Sequence, residues 1–370
     1  MNKKDILIVS GAFYPQNSPR SFRTTELVKE FVRQGHKVTV YITKDNKEHF
    51  VFENDFGVKI KDLGKRKFKD LNLSSGNKYT KLFKRVMRRG LVQLFDYPNT
   101  ELMFQVKKVL KNEKDYDLLI SIAAPFPIHW GVAWSRNQNH TIAKTWVADC
   151  GDPFYFSSHD TFGKLFYFKY LEKWFSRKAD YISIPFEGLK KYFLKEFDTK
   201  YRVIPQGFNF DDFHITKKPI NNRVITFAYA GGFMKEARDP RKILDYLSTL
   251  EIPFQFVVYN KQNEFTDPYK AILGDKLIVK DYIPRKKLLY ELSKMDFLVN
   301  IEFDPTNQAP SKLIDYSLTK RPILMIKNKE FNKDTINKFL VNNYNNQFKY
   351  PDIKVFNIKN VVHQFLELIK

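Results

Sequence analysis

Short apolar runs alternate with helical repeats along the first half of the chain. Leu27, Val28 and Phe31 recur at helical spacing and Gly35 follows them, which predicts a helix over residues 21–34. Short apolar or alternating runs before and after this helix are typical of buried strands. Such strands are predicted at residues 5–10, 37–43, 117–122, 143–148 and 181–184. Strands separated by helices predict a parallel sheet with helices on both faces.

The alternation begins again after a polar, turn-rich segment between Gln206 and Asn222. Strands are predicted at residues 224–230, 254–259, 276–280, 297–301 and 322–326, and helices at residues 240–250, 285–293, 311–318 and 360–369. We therefore expect an α/β protein with two Rossmann-like domains, residues 1–206 and 207–350. A helical segment at residues 351–370 is placed to pack back on the first domain. In open α/β sheets, ligands bind outside the carboxyl ends of the strands.

Composition narrows the class of protein. The chain has 370 residues and is 43% hydrophobic, but no run approaches the roughly 18 apolar residues of a membrane span. The apolar run at residues 5–10 is short and lacks a cleavage site, so we assign it to a strand and not to a signal peptide. Cys150 is the only cysteine, which excludes an internal disulfide and fits a reducing, cytoplasmic compartment.

The formal net charge is +22. Such an excess attracts polyanions, namely nucleic acid, anionic lipid or phosphorylated small molecules. Composition does not choose among these partners, and a merely solvated basic surface is the alternative.

The segment Ala309-Pro-Ser-Lys-Leu-Ile-Asp-Tyr316 opens a predicted helix. The free N–H groups at Ser311, Lys312 and Leu313 would form an anion site, to which Lys312 adds a charge. Asp315 is one turn further on and could accept hydrogen bonds from ribose hydroxyls. Together these features describe a nucleotide site, although Ser and Asp are also common in ordinary helix starts.

A glycine pair ends the first strand of the second half. Gly231 and Gly232 would allow a phosphate to approach the backbone, or they only form a turn. Arg238 and Arg241 follow within a few residues, and a guanidinium suits a diphosphate.

At this point the sequence resembles the GT-B glycosyltransferases of the family-4 type, also called glycosyl transferases group 1. The similar segments occur in the family's order along most of the chain. They are Arg33-Gln-Gly-His-Lys-Val38, Lys178-Ala-Asp-Tyr-Ile-Ser183, Val203-Ile-Pro-Gln-Gly-Phe208 with Phe213, Asp281-Tyr-Ile-Pro284, Met295-Asp-Phe-Leu-Val299, and Pro310-Ser-Lys-Leu-Ile-Asp-Tyr316 with Arg321-Pro-Ile323.

The resemblance implies two Rossmann-like domains that face each other across a cleft. It also implies a nucleotide-sugar donor in the second domain and retention of anomeric configuration. The resemblance further implies transfer without a metal-binding Asp-x-Asp motif, so no metal is expected, and the helix dipole and basic side chains would neutralise the leaving diphosphate. The family's paired acids fall on Asn307 and Asp315, so the first is an amide here. The implied donor-binding residues are Gly231, Gly232, Arg238, Tyr282, Ile283, Pro310, Ser311, Lys312, Leu313 and Asp315.

In the first domain the resemblance implies the acceptor site. Asp149 and Asp152 come at the end of a strand in a segment similar to the family's, and they are candidate catalytic acids. Asp152 before Pro153 could instead be a turn residue. His129, also just after a strand, is a third catalytic candidate or a packing residue.

Two arginines follow the first strand of the same domain. Arg20 and Arg23 lie at the start of the predicted helix, where they could bind a phosphate of donor or acceptor. Two ordinary surface arginines are the alternative.

A basic amphipathic helix is predicted at Lys78–Phe95. Such a helix is typical of a membrane-surface element. Its apolar face could equally pack on the domain core. The predicted membrane residues are Lys81, Phe83, Lys84, Arg85 and Arg88.

From this resemblance we expect a glycosyltransferase of the hexosyltransferase type (EC 2.4), which uses a nucleotide-diphosphate sugar and a glycan or lipid-linked acceptor. We expect it to act in polysaccharide biosynthesis. Its location would be the cytoplasm or the inner face of the cell membrane. No cofactor and no metal are expected. Two alternatives are open: a basic nucleic-acid-binding protein, for which no recognition motif is found, and a non-catalytic protein that binds nucleotide-sugar or lipid.

Overall fold

The computed structural model describes residues 2–44, 46–70, 77–137, 139–156, 163–216, 222–235, 238–261, 263–301, 311–350 and 352–370. The chain divides into two compact units, Met1–Phe208 with Val355–Lys370, and Asn209–Lys354.

The first unit is built on a seven-stranded parallel sheet of order β3-β2-β1-β4-β5-β6-β7. Its register pairs Ile8 of the central strand with Val40 on one side and Ile120 on the other. The strands are β1 (Asp5–Ser10), β2 (Lys37–Ile42), β3 (Lys59–Asp62), β4 (Tyr116–Ala123), β5 (Ala143–Cys150), β6 (Tyr181–Ile184) and β7 (Tyr201–Val203), and the helices are α1 (Pro19–Arg33), α2 (Asn46–Phe56), α3 (Lys78–Phe95), α4 (Glu101–Leu110), α5 (Pro127–Ser135) and α6 (Phe166–Lys178).

The second unit has a five-stranded parallel sheet of order β10-β9-β8-β11-β12. Phe227 and Phe297 stack across neighbouring strands at 4.5 Å between ring centroids and anchor one face of its core. The strands are β8 (Ile225–Ala230), β9 (Phe254–Tyr259), β10 (Leu277–Lys280), β11 (Phe297–Ile301) and β12 (Ile323–Ile326), and the helices are α7 (Arg241–Ser248), α8 (Asp267–Leu273), α9 (Arg285–Leu292), α10 (Ser311–Leu318) and α11 (Lys333–Leu340).

Short 3₁₀ segments complete the secondary structure. They lie at Glu187–Tyr192, Lys195–Lys200, Phe210–Asp212, Asn263–Phe265, Gly274–Lys276 and Ile353–Phe356.

The last helix, α12 (Ile358–Leu366), belongs to the first unit. Its residues Val361, Val362 and Phe365 are fully buried in the core that also holds Leu27 and Phe31 of α1. The chain therefore completes the first unit only after it has passed through the second.

Both units confirm the predicted α/β class, with parallel strands and helices between them. Two strands of the first unit were missing from the prediction, β3 and β7. Each is short and lies at an edge of the sheet, where only part of the strand is buried. A pattern of buried positions therefore cannot reveal them. Within the described residues, no helix has the length and apolar character needed to cross a membrane.

Candidate functional site

The carboxyl edge of the second sheet holds the main candidate site. The strand order reverses between β8 and β11, and such a reversal opens a crevice outside the strand ends. Helix α10 begins beside this point and is fixed to β8, because the Ala230 N–H donates to the Tyr316 hydroxyl at 2.8 Å. Lys312 lies one turn earlier on the same face of the helix. Its side chain is thereby directed at the end of β8.

The Lys312 side chain is enclosed by the end of that strand. Its Nζ lies 4.1 Å from the centroid of the Tyr229 ring. A Cβ on Gly231 would come within 2.5 Å of the same Nζ, so a side chain at this position would displace the ammonium. Gly231 also has a φ of +140°, which side chains of L-residues rarely permit. Glycine at position 231 therefore fits both the turn and the position of the lysine.

The ammonium of Lys312 is buried and, within the described residues, has no hydrogen-bond partner. The Nε of Arg238 is likewise buried and has no hydrogen-bond partner among the described residues. Burial, followed by the charge of Arg238, lowers the pKa of Lys312 to about 7. Buried polar groups are nearly always paired, and two unpaired cationic donors at a strand end are therefore typical of an anion-binding site.

The glycine pair has a backbone role as well. The Gly231 N–H donates to the Tyr259 carbonyl at 3.0 Å, and the Gly232 carbonyl accepts from the Tyr229 hydroxyl at 3.0 Å. These bonds fix the turn after β8. Arg241, by contrast, is occupied by an ion pair with Asp239.

Asp315, the predicted ribose acceptor, is held by an arginine that the sequence argument missed. Arg285 is the first residue of α9, and its Nε donates to both carboxylate oxygens of Asp315 at 3.1 Å. The same guanidinium lies 5.0 Å from the centroid of the Phe213 ring. Its position directly after the Asp281-Tyr-Ile-Pro284 segment was the only available signal.

The remaining donor candidates lie along this edge or outside the described residues. Tyr282 is exposed and Ile283 is half-buried, both just after β10. The Leu313 side chain is buried in the core, so only its backbone could serve a ligand. The backbone of Ser311 begins α10. Pro310 lies outside the described residues, as does Asn307.

In the first unit, Asp149 at the end of β5 is buried in an ion pair. Arg23 donates to its two oxygens at 2.9 and 3.2 Å, and the Ser183 hydroxyl donates at 2.7 Å. Burial opposes ionisation here, but the charges of Arg23 and Arg20 hold the pKa of Asp149 below its usual value. This carboxylate links α1, β5 and β6. Its enclosure does not fit the predicted role as a catalytic acid.

Arg23 is also a structural residue in this arrangement. It is almost fully buried, and besides Asp149 it donates to the carbonyls of Ile204 and Pro205. The predicted phosphate contact would require Arg23 to leave these partners, so we correct that assignment. Arg20 differs, because its side chain is 21% exposed and lies 3.8 Å from Asp149.

Arg20 reaches the loop after β5. A Cβ on Gly151 would overlap its guanidinium, so glycine at this position gives the arginine its place. Asp152, one residue further on, is exposed. Arg20 and Asp152 are therefore the accessible members of the predicted acceptor group.

His129 does not fit the predicted acceptor pocket either. The side chain has no exposed surface and packs against the rings of Phe126 and Phe175. Trp146 donates to the Ser121 hydroxyl at 2.8 Å, and that hydroxyl shares a hydrogen bond of 2.7 Å with His129 Nδ1. Burial lowers the pKa of His129 to about 3, so the ring is neutral and structural.

Residues 22–212, more than half of the chain, match the model of Glycosyltransferase Family 4. The chain belongs to this family. The resemblance noted in the sequence is thereby confirmed.

Solved structures support the fold of this glycosyltransferase. A glycosyltransferase from Rickettsia africae has a TM-score of 0.56 at 13% identity, over 100% of this chain and 95% of its own. The lipopolysaccharide outer core galactosyltransferase WaaB in its apo form has a TM-score of 0.56 at 13% identity, over 99% of each chain. TarM has a TM-score of 0.56 at 11% identity, over 100% of this chain and 95% of its own. At these identities the likeness establishes the GT-B fold alone. No curated protein matches the sequence.

Helix α3 of the glycosyltransferase has the predicted segregation of charge, and its apolar face points to solvent, as the membrane-surface prediction requires. None of its residues is buried, and Phe83 is 66% exposed. Lys81 and Lys84 are half-buried, Arg85 is exposed, and Arg88 pairs with Asp70 at 2.7 Å. The alternative in which the apolar face packs on the core does not fit this placement.

A metal site was not expected for this chain. Among the residues that the structure describes, no group of three or more His, Cys, Asp or Glu side chains is placed to hold a metal ion.

Proposed function

We propose that this glycosyltransferase moves a sugar from a nucleotide-diphosphate sugar to a glycan or lipid-linked acceptor, with retention of configuration and without a metal. One observation carries the proposal. Lys312 holds a buried ammonium without a hydrogen-bond partner among the described residues, at the point where the strand order of the second sheet reverses. An anionic group with several oxygens is the ligand that would satisfy it.

The chemistry follows from the charges around this point. As the glycosidic bond to the donor diphosphate breaks, negative charge grows on the leaving oxygens. Lys312, Arg238 and the N-terminus of α10 would stabilise that charge without a metal ion. Because burial lowers the pKa of Lys312 to about 7, we expect the bound diphosphate to raise it again. Binding should therefore take up a proton above neutral pH.

The ribose and the acceptor would use the neighbouring groups. Asp315 keeps free lone pairs when Arg285 binds it, and we propose that the pair presents the carboxylate to ribose hydroxyls. Arg20 and Asp152 would serve the acceptor from the first unit, Arg20 as a phosphate ligand and Asp152 as the accessible acid. Asp149 and Arg23 would position these two residues through the buried ion pair.

The experiment is a thermal-shift panel with UDP, GDP, ADP and TDP on wild type, Lys312→Ala and Lys287→Ala. Lys287 is an exposed lysine of the same unit and serves as the matched control. At least one nucleotide should stabilise wild type and Lys287→Ala, and Lys312→Ala should lose that shift. A panel without any shift on wild type would contradict the proposed donor.

Two further measurements address the reaction. Transfer should continue in excess EDTA, and loss of activity that Mg²⁺ or Mn²⁺ restores would contradict the metal-free mechanism. The anomeric configuration of the first product, read by NMR, should equal that of the donor.

We also propose that the glycosyltransferase works at the inner face of the cell membrane, as a peripheral protein. The exposed, basic and apolar helix α3 supports this location.

A further inference from the structure

Helix α3 presents its apolar side to solvent. Tyr79, Leu82, Phe83 and Val86 are each more than half exposed, and they occupy one side of the first three turns. Leu94 and Phe95 continue the exposed apolar residues at the other end of the helix. Soluble proteins rarely expose so many large apolar side chains on one element unless that element contacts a partner.

The basic residues of the helix lie on its other side. Lys81, Lys84 and Arg88 are half-buried, and Arg88 binds the exposed Asp70. Lys78 and Arg85 are exposed and border the apolar side. The 18 residues of α3 include no acidic residue.

A second basic segment lies beside the helix. The pair of Arg88 with Asp70 holds residues 65–70 against α3, and the Tyr97 hydroxyl donates to the Lys69 carbonyl at 2.8 Å. The exposed residues of this segment are Lys65, Lys67, Phe68, Lys69 and Asp70, and the Phe68 ring stacks on Tyr97 at 5.4 Å. Further positive charge and another exposed ring are thereby placed at the flank of α3.

The start of α6 extends the apolar residues at the far end of the helix. Gln93 donates to the Gly163 carbonyl at 2.5 Å, and Tyr167 donates to the Leu94 carbonyl. Phe166, next to Tyr167, is among the most exposed large side chains of the chain. Residues 65–70, the exposed side of α3 and Phe166 are called the α3 surface below.

We propose that the α3 surface docks on an anionic lipid bilayer, with α3 parallel to the membrane plane. This deepens the proposed function, because it names the partner and the docking residues of the peripheral transferase. The helix is roughly 27 Å long at 1.5 Å per residue, and its aromatic side chains would enter the boundary between headgroups and acyl chains. Lysines and arginines at its border would reach anionic headgroups with their long side chains.

The charge selects this partner over a second copy of the chain. Two α3 surfaces in contact would place strongly basic segments against each other, since Asp70 is their one acidic residue and is already paired with Arg88, and like charges repel. An anionic bilayer supplies both the negative charge and the apolar phase that the surface requires.

The test is flotation of the full chain with vesicles of phosphatidylcholine alone and of phosphatidylcholine mixed with phosphatidylglycerol. Lys78→Gln with Arg85→Gln should weaken binding to the anionic vesicles by about 25-fold, since each basic residue near an anionic surface contributes about fivefold. Binding to neutral vesicles should not change. Phe83→Ser should weaken binding to both kinds by about tenfold, because it removes apolar burial. Salt above about 0.1 M should weaken the anionic preference only.

Matched controls come from the second unit. Ile272 is 66% exposed, as Phe83 is, so Ile272→Ser should float like wild type. Lys287→Gln with Lys338→Gln removes the same charge and should also float like wild type. Because these side chains are exposed, melting curves of all variants should match wild type.

Several outcomes would overturn the proposal. If the wild type failed to float, or if Phe83→Ser floated as well as the wild type, the result would contradict docking on a bilayer. If Phe83→Ser changed the mass measured by sedimentation but not the flotation, the α3 surface would bind a second copy of the chain. The nucleotide-induced thermal shift is measured on the same variants without vesicles. A retained shift with lost flotation supports the docking surface, whereas a missing shift in wild type contradicts the donor site and leaves the flotation result intact.

Discussion

Replacing Lys312 with methionine tests the buried ammonium directly. Methionine fills a similar volume and carries no charge, so the variant removes a desolvated cation while keeping the packing against Tyr229. The pKa of Lys312 lies at about 7 in the folded chain against an ordinary value of 10.5. Since the unfolded chain binds the proton more tightly, the wild-type fold loses stability as pH falls from about 10 towards 7, and the full penalty is present below 7.

The size of the effect follows from that difference. One pKa unit corresponds to 1.36 kcal/mol, so charging Lys312 costs about 5 kcal/mol at pH 6 and about 2 kcal/mol at pH 9. The face of the Tyr229 ring returns about 1 kcal/mol of this cost. We therefore expect Lys312→Met to stabilise the second unit at pH 6 by roughly 3 kcal/mol more than at pH 9.

Urea unfolding, monitored with two spectroscopic probes, measures this change in the stability of the second unit. All four tryptophans, at positions 130, 134, 146 and 174, lie in the first unit, so their fluorescence follows that unit alone. Far-ultraviolet circular dichroism follows both units. Lys312→Met should move the dichroism transition of the second unit and leave the tryptophan transition in place.

The same variant should lose the stabilisation by a nucleotide diphosphate. For the wild type, nucleotide affinity should fall about tenfold per pH unit above pH 7, because binding requires the charged amine. If Lys312→Met destabilises the second unit at pH 6, or if wild-type affinity does not change between pH 7 and 9, the reasoning about this ammonium is wrong.

Three other substitutions have defined outcomes. Gly231→Ala should destabilise the second unit by about 1–3 kcal/mol and remove the nucleotide-induced shift, because of its φ and the clash with Lys312; a retained shift would contradict the glycine's role. Arg23→Ala should destabilise the first unit by about 3–5 kcal/mol in urea unfolding read by tryptophan fluorescence, because it leaves Asp149 buried without its partner; an unchanged midpoint would show that Asp149 is solvated. Burial raises the pKa of Glu172 in α6 to about 7, so the first unit loses stability as pH rises from about 4.5 through 7. Glu172→Gln should therefore stabilise the first unit by about 3 kcal/mol at pH 8 and little at pH 4. Equal effects at both pH values would contradict this.

The sequence predicts the parallel sheets and the helix start at Ser311 because both depend on local patterns. The burial of the Lys312 ammonium could not be predicted from local patterns. It depends on Gly231 and Tyr229, which are some eighty residues earlier in the chain and meet the lysine only when β8 and α10 pack together.

The predicted acceptor residues show the same limit of sequence-based prediction, because contacts between distant residues bury some of the candidates. A polar residue at a strand end is often functional, but Asp149 is neutralised by Arg23, 126 residues earlier. His129 likewise follows a strand, and its burial depends on rings of Phe126 and Phe175 that only the tertiary structure brings together. The segregation of charge on α3 is local and was predicted, whereas the direction in which its apolar side points is tertiary.

The position of α12 has a consequence for the synthesis of the protein. Residues 209–354 are translated between the bulk of the first unit and the helix that completes its core. At about 5–20 residues per second, that interval lasts roughly 7–30 seconds. The apolar side of α1, with Leu27, Val28 and Phe31, has no α12 to cover it during this time. The core of the first unit is therefore closed only after the whole second unit has been synthesised, and until then the apolar side of α1 is available for contacts outside the unit.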